Sequence, residues 1–203
     1  MRFSSLLTIA TAVPALLTAQ TQDTLSLQGR SSLILGVGLT GTREATASSG
    51  GTTARATGQL ASLAYTHFVR PNVALEFSGA LLDASSTSSS PSADAVTALL
   101  FGVSYSPRAL AITRNIRPFV SAAAGPYSRW VSQANGYSSS ASSQTQLGGR
   151  VGAGVSSYVT RHFVLQVETY YHAVAEFVAV NTVARDPSGL GFSVGLGFAW
   201  GSQ

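Results

Sequence analysis

The 203-residue sequence contains no cysteine and no lysine, and only 10% of its residues are charged. The absence of cysteine excludes disulfides, thiol chemistry and cysteine-ligated zinc. A soluble domain averages about 25% charged residues, so the deficit predicts that much of the surface faces something other than water. The net charge is +4, but the arginines are scattered singly and form no basic stripe interleaved with aromatics. Nucleic-acid binding is therefore not expected.

Long apolar runs are also missing, with one exception at the amino terminus. Residues 1–19 combine a positive Arg2, an apolar stretch interrupted by Pro14, and a small Ala19 before polar sequence. This pattern predicts a secretory signal peptide cleaved after Ala19, with residues 20–203 as one mature domain. The alternative is a membrane anchor helix, but a helix that spans the bilayer needs about 20 apolar residues and this stretch is shorter.

The mature sequence shows a recurring period-two alternation of large apolar and small residues. From Phe192 to Trp200 every second residue is large and apolar, and the residues between are Ser, Gly or Ala. Such alternation is typical of β-strands. It also marks residues 33–39, 72–82, 97–105, 147–159 and 163–171, and less cleanly residues 60–69 and 118–130.

The connections between these eight predicted strands alternate in character. Residues 69–73 and 158–163 read as tight turns and residues 106–118 as a longer, arginine-rich one. The other four connections are long and rich in Ser, Thr, Gly and Ala: residues 41–59, 83–95, 128–146 and 173–189. Short links on one side and long links on the other predict an all-β, eight-stranded antiparallel up-and-down transmembrane β-barrel.

The small-residue face decides which side of the strands points inward. Across all strands it carries only three charged residues, Glu76, Arg150 and Glu168, too few for a face in contact with water. Small residues are what the narrow interior of an eight-stranded barrel can hold, so the apolar face is expected to meet lipid. The alternative is a soluble barrel whose apolar face lines a ligand cavity.

Aromatic residues cluster near the predicted strand ends, as in the two girdles that flank the apolar band of a membrane barrel. The alternative is the ordinary preference of aromatic residues for strands. The predicted girdle residues are Tyr65, Tyr105, Tyr127, Trp130, Tyr158, Tyr170, Tyr171 and Trp200.

Two segments, PFVSAAAGPYSRW (118–130) and GGRVGAGVSSYVTRHFVLQVETYY (148–171), resemble the small outer-membrane β-barrel proteins of the OmpA/OmpX-like superfamily. The resemblance implies a place in the outer membrane, with periplasmic termini and the four long loops extracellular. It also implies lipid and lipopolysaccharide contacts and folding by the barrel-assembly machinery. Members usually end on an aromatic residue, whereas here Trp200 is followed by three more residues.

The sharpest candidate site is the set Glu76, Arg150 and Glu168, with Gln166 close by on the same face. We expect Arg150 and Glu168 on neighbouring strands, about one residue pair from direct register, and an internal salt-bridge network. One hypothesis is a structural plug that sets the register. The other, which the resemblance also suggests, is a gate in a narrow water path.

Catalytic and metal signals are weak. A barrel enzyme acting on lipid A needs a histidine with a serine or acidic partner at the outer leaflet; only His172, with Glu176, is expected on that side. His67 and His162 are expected at the periplasmic end, and no two histidines have metal-ligand spacing, so neither a metal nor a cofactor is expected.

The leading hypothesis is thus a non-enzymatic outer-membrane barrel with a structural or adhesin-like role, whose long loops bind an extracellular ligand. A narrow gated channel is the alternative, and a lipid A-modifying enzyme is third. The apolar stretch 173–180 is expected to prolong the seventh strand and to offer a partner an edge.

Overall fold

The computed structural model describes residues 26–46, 53–83, 92–113, 115–135, 138–180 and 183–201. These residues form ten antiparallel strands and one 3-10 turn, Arg108–Leu110. None of the helical residues within the described ranges forms a helix long and apolar enough to cross a bilayer. The predicted signal peptide, residues 1–19, lies outside the described residues. The strands are β1 (Ser31–Thr46), β2 (Thr53–Arg70), β3 (Val73–Asp83), β4 (Ser92–Tyr105), β5 (Ile116–Asn135), β6 (Ser138–Tyr158), β7 (Phe163–Val174), β8 (Phe177–Val180), β9 (Val183–Asp186) and β10 (Gly189–Trp200).

Eight of these strands close into a barrel, and the predicted fold class is confirmed. From β1 to β7 each strand pairs with the next, and β10 pairs with β7. The barrel closes because β1 pairs with β10 as well as with β2, so that Leu33 lies opposite both Phe198 and Tyr65. We call the end of the barrel where Ser31 and Trp200 pair the terminal end and the opposite end the distal end.

The two faces of the wall are distributed as the alternation predicts. On β10 the large residues from Phe192 to Trp200 are exposed on the outside, while Gly195, Gly197 and Ala199 are buried inside. The interior has little room for side chains: a Cβ added at Gly197 would lie 2.6 Å from Ile34 Cγ1. Small residues therefore line the lumen because the barrel radius leaves space for little else.

The lumen is filled in three layers. An apolar cluster occupies each end, and a charged layer with Glu76, Arg150 and Glu168 lies between them. The terminal cluster consists of Leu27, Ile34, Phe68, Ala74, Tyr158, Val164 and Ala199. The distal cluster consists of Leu60, Leu82, Val96, Ala98, Leu100, Ala123, Tyr127, Tyr170 and Phe177.

The strands are longer at the distal end than the sequence predicts. Much of each range predicted as a long loop is strand: β5 continues to Asn135 and β6 begins at Ser138. The alternation of large and small residues stops at the edge of the apolar band, so it does not predict these extensions. Backbone hydrogen bonds between the strands continue beyond the band, where neither face of a strand needs to be apolar.

The apolar stretch 173–180 also differs from the prediction. It does not prolong β7 without interruption, because β7 ends at Val174. After a two-residue break β8 continues in the same direction as β7, and β9 then turns back and pairs with it. β9 in turn pairs with the distal end of β1, with Arg43 opposite Asp186. The side chain of Phe177 is buried in the distal cluster, which explains why an apolar residue stands in this connection.

Candidate functional site

The predicted charged residues meet in the middle of the lumen. Glu76 on β3 and Arg150 on β6 project inward from strands that are not neighbours, and the Nη2 atom of Arg150 donates a hydrogen bond to Oε1 of Glu76 across the lumen. Both side chains are buried, with exposures of 5% for Glu76 and 8% for Arg150. A salt bridge in this position is screened little by water, so each charge depends on its partner.

Glu168 on β7 is the third member of the charged layer. Its Oε1 atom lies 3.9 Å from Nη2 of Arg150 and accepts a hydrogen bond of 2.9 Å from Ser121 Oγ on β5. The predicted register was wrong: Arg150 lies opposite His172, and Glu168 lies opposite Gly154, four residues away along β6. A long arginine side chain spans this diagonal, which explains why the contact with Glu168 is looser than the contact with Glu76.

Gln166 lies on the same face but stands apart from the ion pairs. It forms no hydrogen bond with the three charged residues in the described part of the chain. Instead it lines a cavity of about 30 Å³ that also contacts Glu76 and Arg117. Such a volume holds about one or two water molecules, so this part of the lumen has space for hydration.

A second polar cluster lies on the distal side of the charged layer. His172 is 1% exposed, and its Nδ1 atom lies 2.6 Å from the hydroxyl of Tyr127. The ring of Tyr170 packs against His172 edge-on at 4.9 Å, and its hydroxyl donates a hydrogen bond to the Leu39 carbonyl. The sequence signal for this cluster is the position of its side chains on the small-residue faces of β5 and β7, and weight on strand-end position obscures it.

The girdle assignment is wrong for three of the eight predicted residues. Tyr127, Tyr158 and Tyr170 are buried inside the lumen. Their strand-end positions suggested a girdle, but successive side chains of a strand point to opposite faces, so Tyr170 and its neighbour Tyr171 cannot share one. The remaining five are exposed on the outer wall: Tyr65, Tyr105, Trp130, Tyr171 and Trp200.

These outward aromatics occur at both ends of the barrel. Tyr65 and Trp200 pack at 6.1 Å near the terminal end, and Tyr105 ends β4 there. Trp130 and Tyr171 lie towards the distal end of β5 and β7. Within the described residues, no group of three or more His, Cys, Asp or Glu side chains is arranged to hold a metal ion.

The fold can be compared with solved structures. The outer membrane protein OprG from Pseudomonas aeruginosa matches with a TM-score of 0.57 and 12% sequence identity, over 89% of this chain and 100% of OprG. The chain has the fold of the small outer-membrane β-barrels. Neisserial surface protein A matches with a TM-score of 0.54 and 16% identity, over 84% of this chain and 97% of the other.

A third similar structure is Ail, the attachment invasion locus protein of Yersinia pestis, in complex with the heparin analogue sucrose octasulfate. Its TM-score is 0.50 and its sequence identity 14%, over 85% of this chain and 99% of Ail. No protein-family model matches the sequence, and no curated protein sequence matches it either. At these identities the likeness concerns the fold alone.

Proposed function

We propose that the protein is a non-enzymatic integral outer-membrane barrel whose distal end interacts with a partner outside the cell. The observation that carries this proposal is the apolar outer band. On β10 it runs over the eleven residues from Leu190 to Trp200, which span about 33 Å of strand. With a strand tilt of about 40°, that gives a height of about 25 Å, which matches the lipid-facing band of outer-membrane barrels.

The filled lumen supports a structural role over transport of large solutes. Apolar clusters seal both ends, and Leu27, ahead of β1, is fully buried in the terminal cluster. The charged layer between them then acts as a plug that fixes which strands face one another. A buried ion pair of this kind can specify a fold without improving its stability.

The distal sheet supports an interaction role. Ser138–Leu147 of β6 pairs with β5 but lies beyond the β7 partners, which begin at Gly148, so one edge of this segment is unpaired among the described strands. The segment has neither charge nor proline, the usual protections of an edge strand. An extended peptide can add to such an edge through backbone hydrogen bonds.

The same proposal includes contacts of the barrel with lipids and with the machinery that inserts it into the membrane. The outer band would contact membrane lipids and lipopolysaccharide, the barrel-assembly machinery would insert the chain, and the distal end would be extracellular with the termini in the periplasm. The similar structures include an attachment invasion locus protein, Ail, and Neisserial surface protein A, and both names agree with a distal end exposed at the cell surface.

Cell fractionation and gel mobility test the membrane location. In an expressing Gram-negative host, we expect the protein in the outer-membrane fraction, and the unboiled form should migrate faster than the boiled form on SDS gels. Protease added to intact cells should cleave only in the distal connections and leave the lipid-facing strands protected. Recovery in the soluble periplasm without a mobility shift would refute the proposal.

A narrow gated channel is the second candidate, favoured by the water-sized cavity lined by Glu76 and Gln166. Arg150→Ala tests it, because the substitution removes the cation that closes the charged layer. A channel predicts a change in single-channel conductance in planar bilayers, whereas a plug predicts lower stability with unchanged current.

An enzyme acting on lipid A is the weakest candidate. His172 faces the lumen, buried against Tyr127 and Tyr170, rather than the outer wall where a lipid substrate would lie. We therefore expect His172→Ala to leave the lipid A composition of expressing cells unchanged. An altered lipid A profile that His172→Ala abolishes would overturn the non-enzymatic proposal.

A further inference from the structure

Charge is distributed unevenly along the barrel. Among the described residues, every acidic residue except Glu76 and Glu168 lies in the distal half. The terminal end carries an arginine at each of its three turns, Arg70, Arg108 and Arg161, all exposed, and Arg30 just ahead of β1. None of these four forms a salt bridge with a carboxylate within the described ranges. The terminal end therefore presents a positive electrostatic potential.

One position at this end has the shape of a binding site. A cavity of about 270 Å³, which we call the rim cavity, is lined by Arg30, Arg161, His162, Trp200 and Gly201. It lies where the turn between β6 and β7 meets the end of β10. The turn is held there by a hydrogen bond of 2.7 Å from the amide of Ala199 to the carbonyl of His162. The rim cavity is thus formed by fixed parts of the fold.

Arg30 is a buried cation without a matching anion. It is 3% exposed; its Nη2 atom donates to the Arg161 carbonyl, while Nε and Nη1 have no hydrogen-bond partner. Its guanidinium lies 5.2 Å from the ring centroid of Tyr158 and is near enough to Arg117 for electrostatic repulsion. A buried charge needs a partner, so an anion in the rim cavity would relieve this arrangement.

The other side of the rim cavity is apolar and faces outward. Trp200 lines it directly, and the His162 ring stacks on Phe198 with a centroid distance of 5.3 Å. Trp200 and Phe198 are both exposed on the outer wall. A ligand that matches both sides has an anionic head and an apolar tail that continues along the wall.

We propose that the rim cavity binds the phosphate headgroup of an anionic phospholipid, with its acyl chains lying along Trp200 and Phe198. Arg30 and Arg161 bind the phosphate, and His162 closes the side of the cavity. The other terminal arginines add attraction over a longer range. This inference rests on the proposed membrane location of the barrel.

The two tryptophans provide a direct test, since Trp200 lies at the rim cavity and Trp130 towards the other end. In a Trp130→Phe protein, Trp200 is the reporter. The protein is reconstituted into phosphatidylcholine bilayers that contain a minor fraction of phosphatidylglycerol, with brominated acyl chains on one lipid or the other. Bromine quenches nearby tryptophan, so we expect labelled phosphatidylglycerol to quench Trp200 beyond its share of the lipid.

Arginine variants separate the rim cavity from general charge. Arg161→Gln should lower the relative affinity for phosphatidylglycerol about tenfold, because it removes a charge-assisted hydrogen bond to the phosphate in addition to the weaker attraction that any arginine at this end contributes. Arg108→Gln is the matched control, because it removes the same charge from an exposed turn at the same end but outside the rim cavity. It should retain most of the excess quenching. Equal losses in the two variants would overturn the proposal.

Four further outcomes are decisive. Trp130, as sole reporter in a Trp200→Phe protein, should show no excess quenching, and an equal excess there would overturn the proposal. Loss of the excess on addition of dissolved inorganic phosphate would show a site for free phosphate and would also overturn it. Quenching by both lipids in proportion to their amounts would refute lipid binding at the rim cavity but leave the membrane location intact. No quenching by either lipid would refute the membrane location as well.

Discussion

Arg150 is the side chain on which the charged layer depends. Replacing it with methionine, which has a similar length, would leave two carboxylates, Glu76 and Glu168, buried at 5% exposure each without a cation. Removing one partner of a buried ion pair costs about 3–5 kcal/mol, because the remaining charge stays desolvated. We therefore expect Arg150→Met to lower the free energy of unfolding by about that amount.

The geometry of the charged layer also predicts how much stability is lost when Glu76 or Glu168 is replaced. Glu168 lies 3.9 Å from Arg150 and keeps a hydrogen bond from Ser121, so Glu168→Gln should cost less than Glu76→Gln, which removes the direct contact. The triple variant Arg150→Met, Glu76→Gln, Glu168→Gln removes all three charges. It should recover most of the stability lost in Arg150→Met, since neutral groups of similar shape need no counter-ion.

Urea unfolding in detergent micelles or bilayers measures these differences. Tryptophan fluorescence follows the transition, and the mobility of unboiled protein on SDS gels reports the folded fraction independently. Comparable slopes across the variants are required before midpoints are converted to free energies. An Arg150→Met protein within about 0.5 kcal/mol of the wild type, the range of ordinary surface substitutions, would refute the reasoning that its charge holds the layer together.

Three other substitutions test the wall and the lumen. Leu35→Arg on the outer face should cost about 2–4 kcal/mol in a bilayer, measured by urea unfolding, while Ile112→Arg in an exposed turn should cost little; equal effects would contradict the lipid-facing assignment. Tyr127→Phe removes the hydroxyl next to His172 and should cost about 1 kcal/mol in the same assay, and a neutral result would mean that this contact contributes nothing. Gly102→Ala should cost about 1–3 kcal/mol because its Cβ would lie 2.6 Å from the backbone of Ala123. Gly79→Ala, with its nearest neighbour 3.7 Å away, is the tolerant control, and similar costs for both would argue against a lumen too narrow for a methyl group at Gly102.

Much of the interior could be assigned from the sequence, and one error shows how far the pattern extends. The same alternation that correctly assigns Glu76, Arg150 and Glu168 to the lumen also assigns Tyr158 and Tyr170 to it. Their position at strand ends suggests a girdle, whereas the alternation of side chains places them inside, and the structure agrees with the alternation. This alternation follows from the local geometry of a strand, so it holds at the ends as well as in the middle.

The sequence by itself determined the strands, the two faces and the closed barrel, because alternation is a local property and a small-residue face fits inside only a closed sheet of small radius. Only the tertiary structure decided which side chains meet across the lumen. Glu76 and Arg150 are 74 residues apart on non-adjacent strands, and their contact depends on the stagger at which β1 and β10 close. Only the tertiary structure decided the rim cavity and the pairing of β9 with β8 and β1, because these join segments that are distant in sequence or follow no periodic pattern.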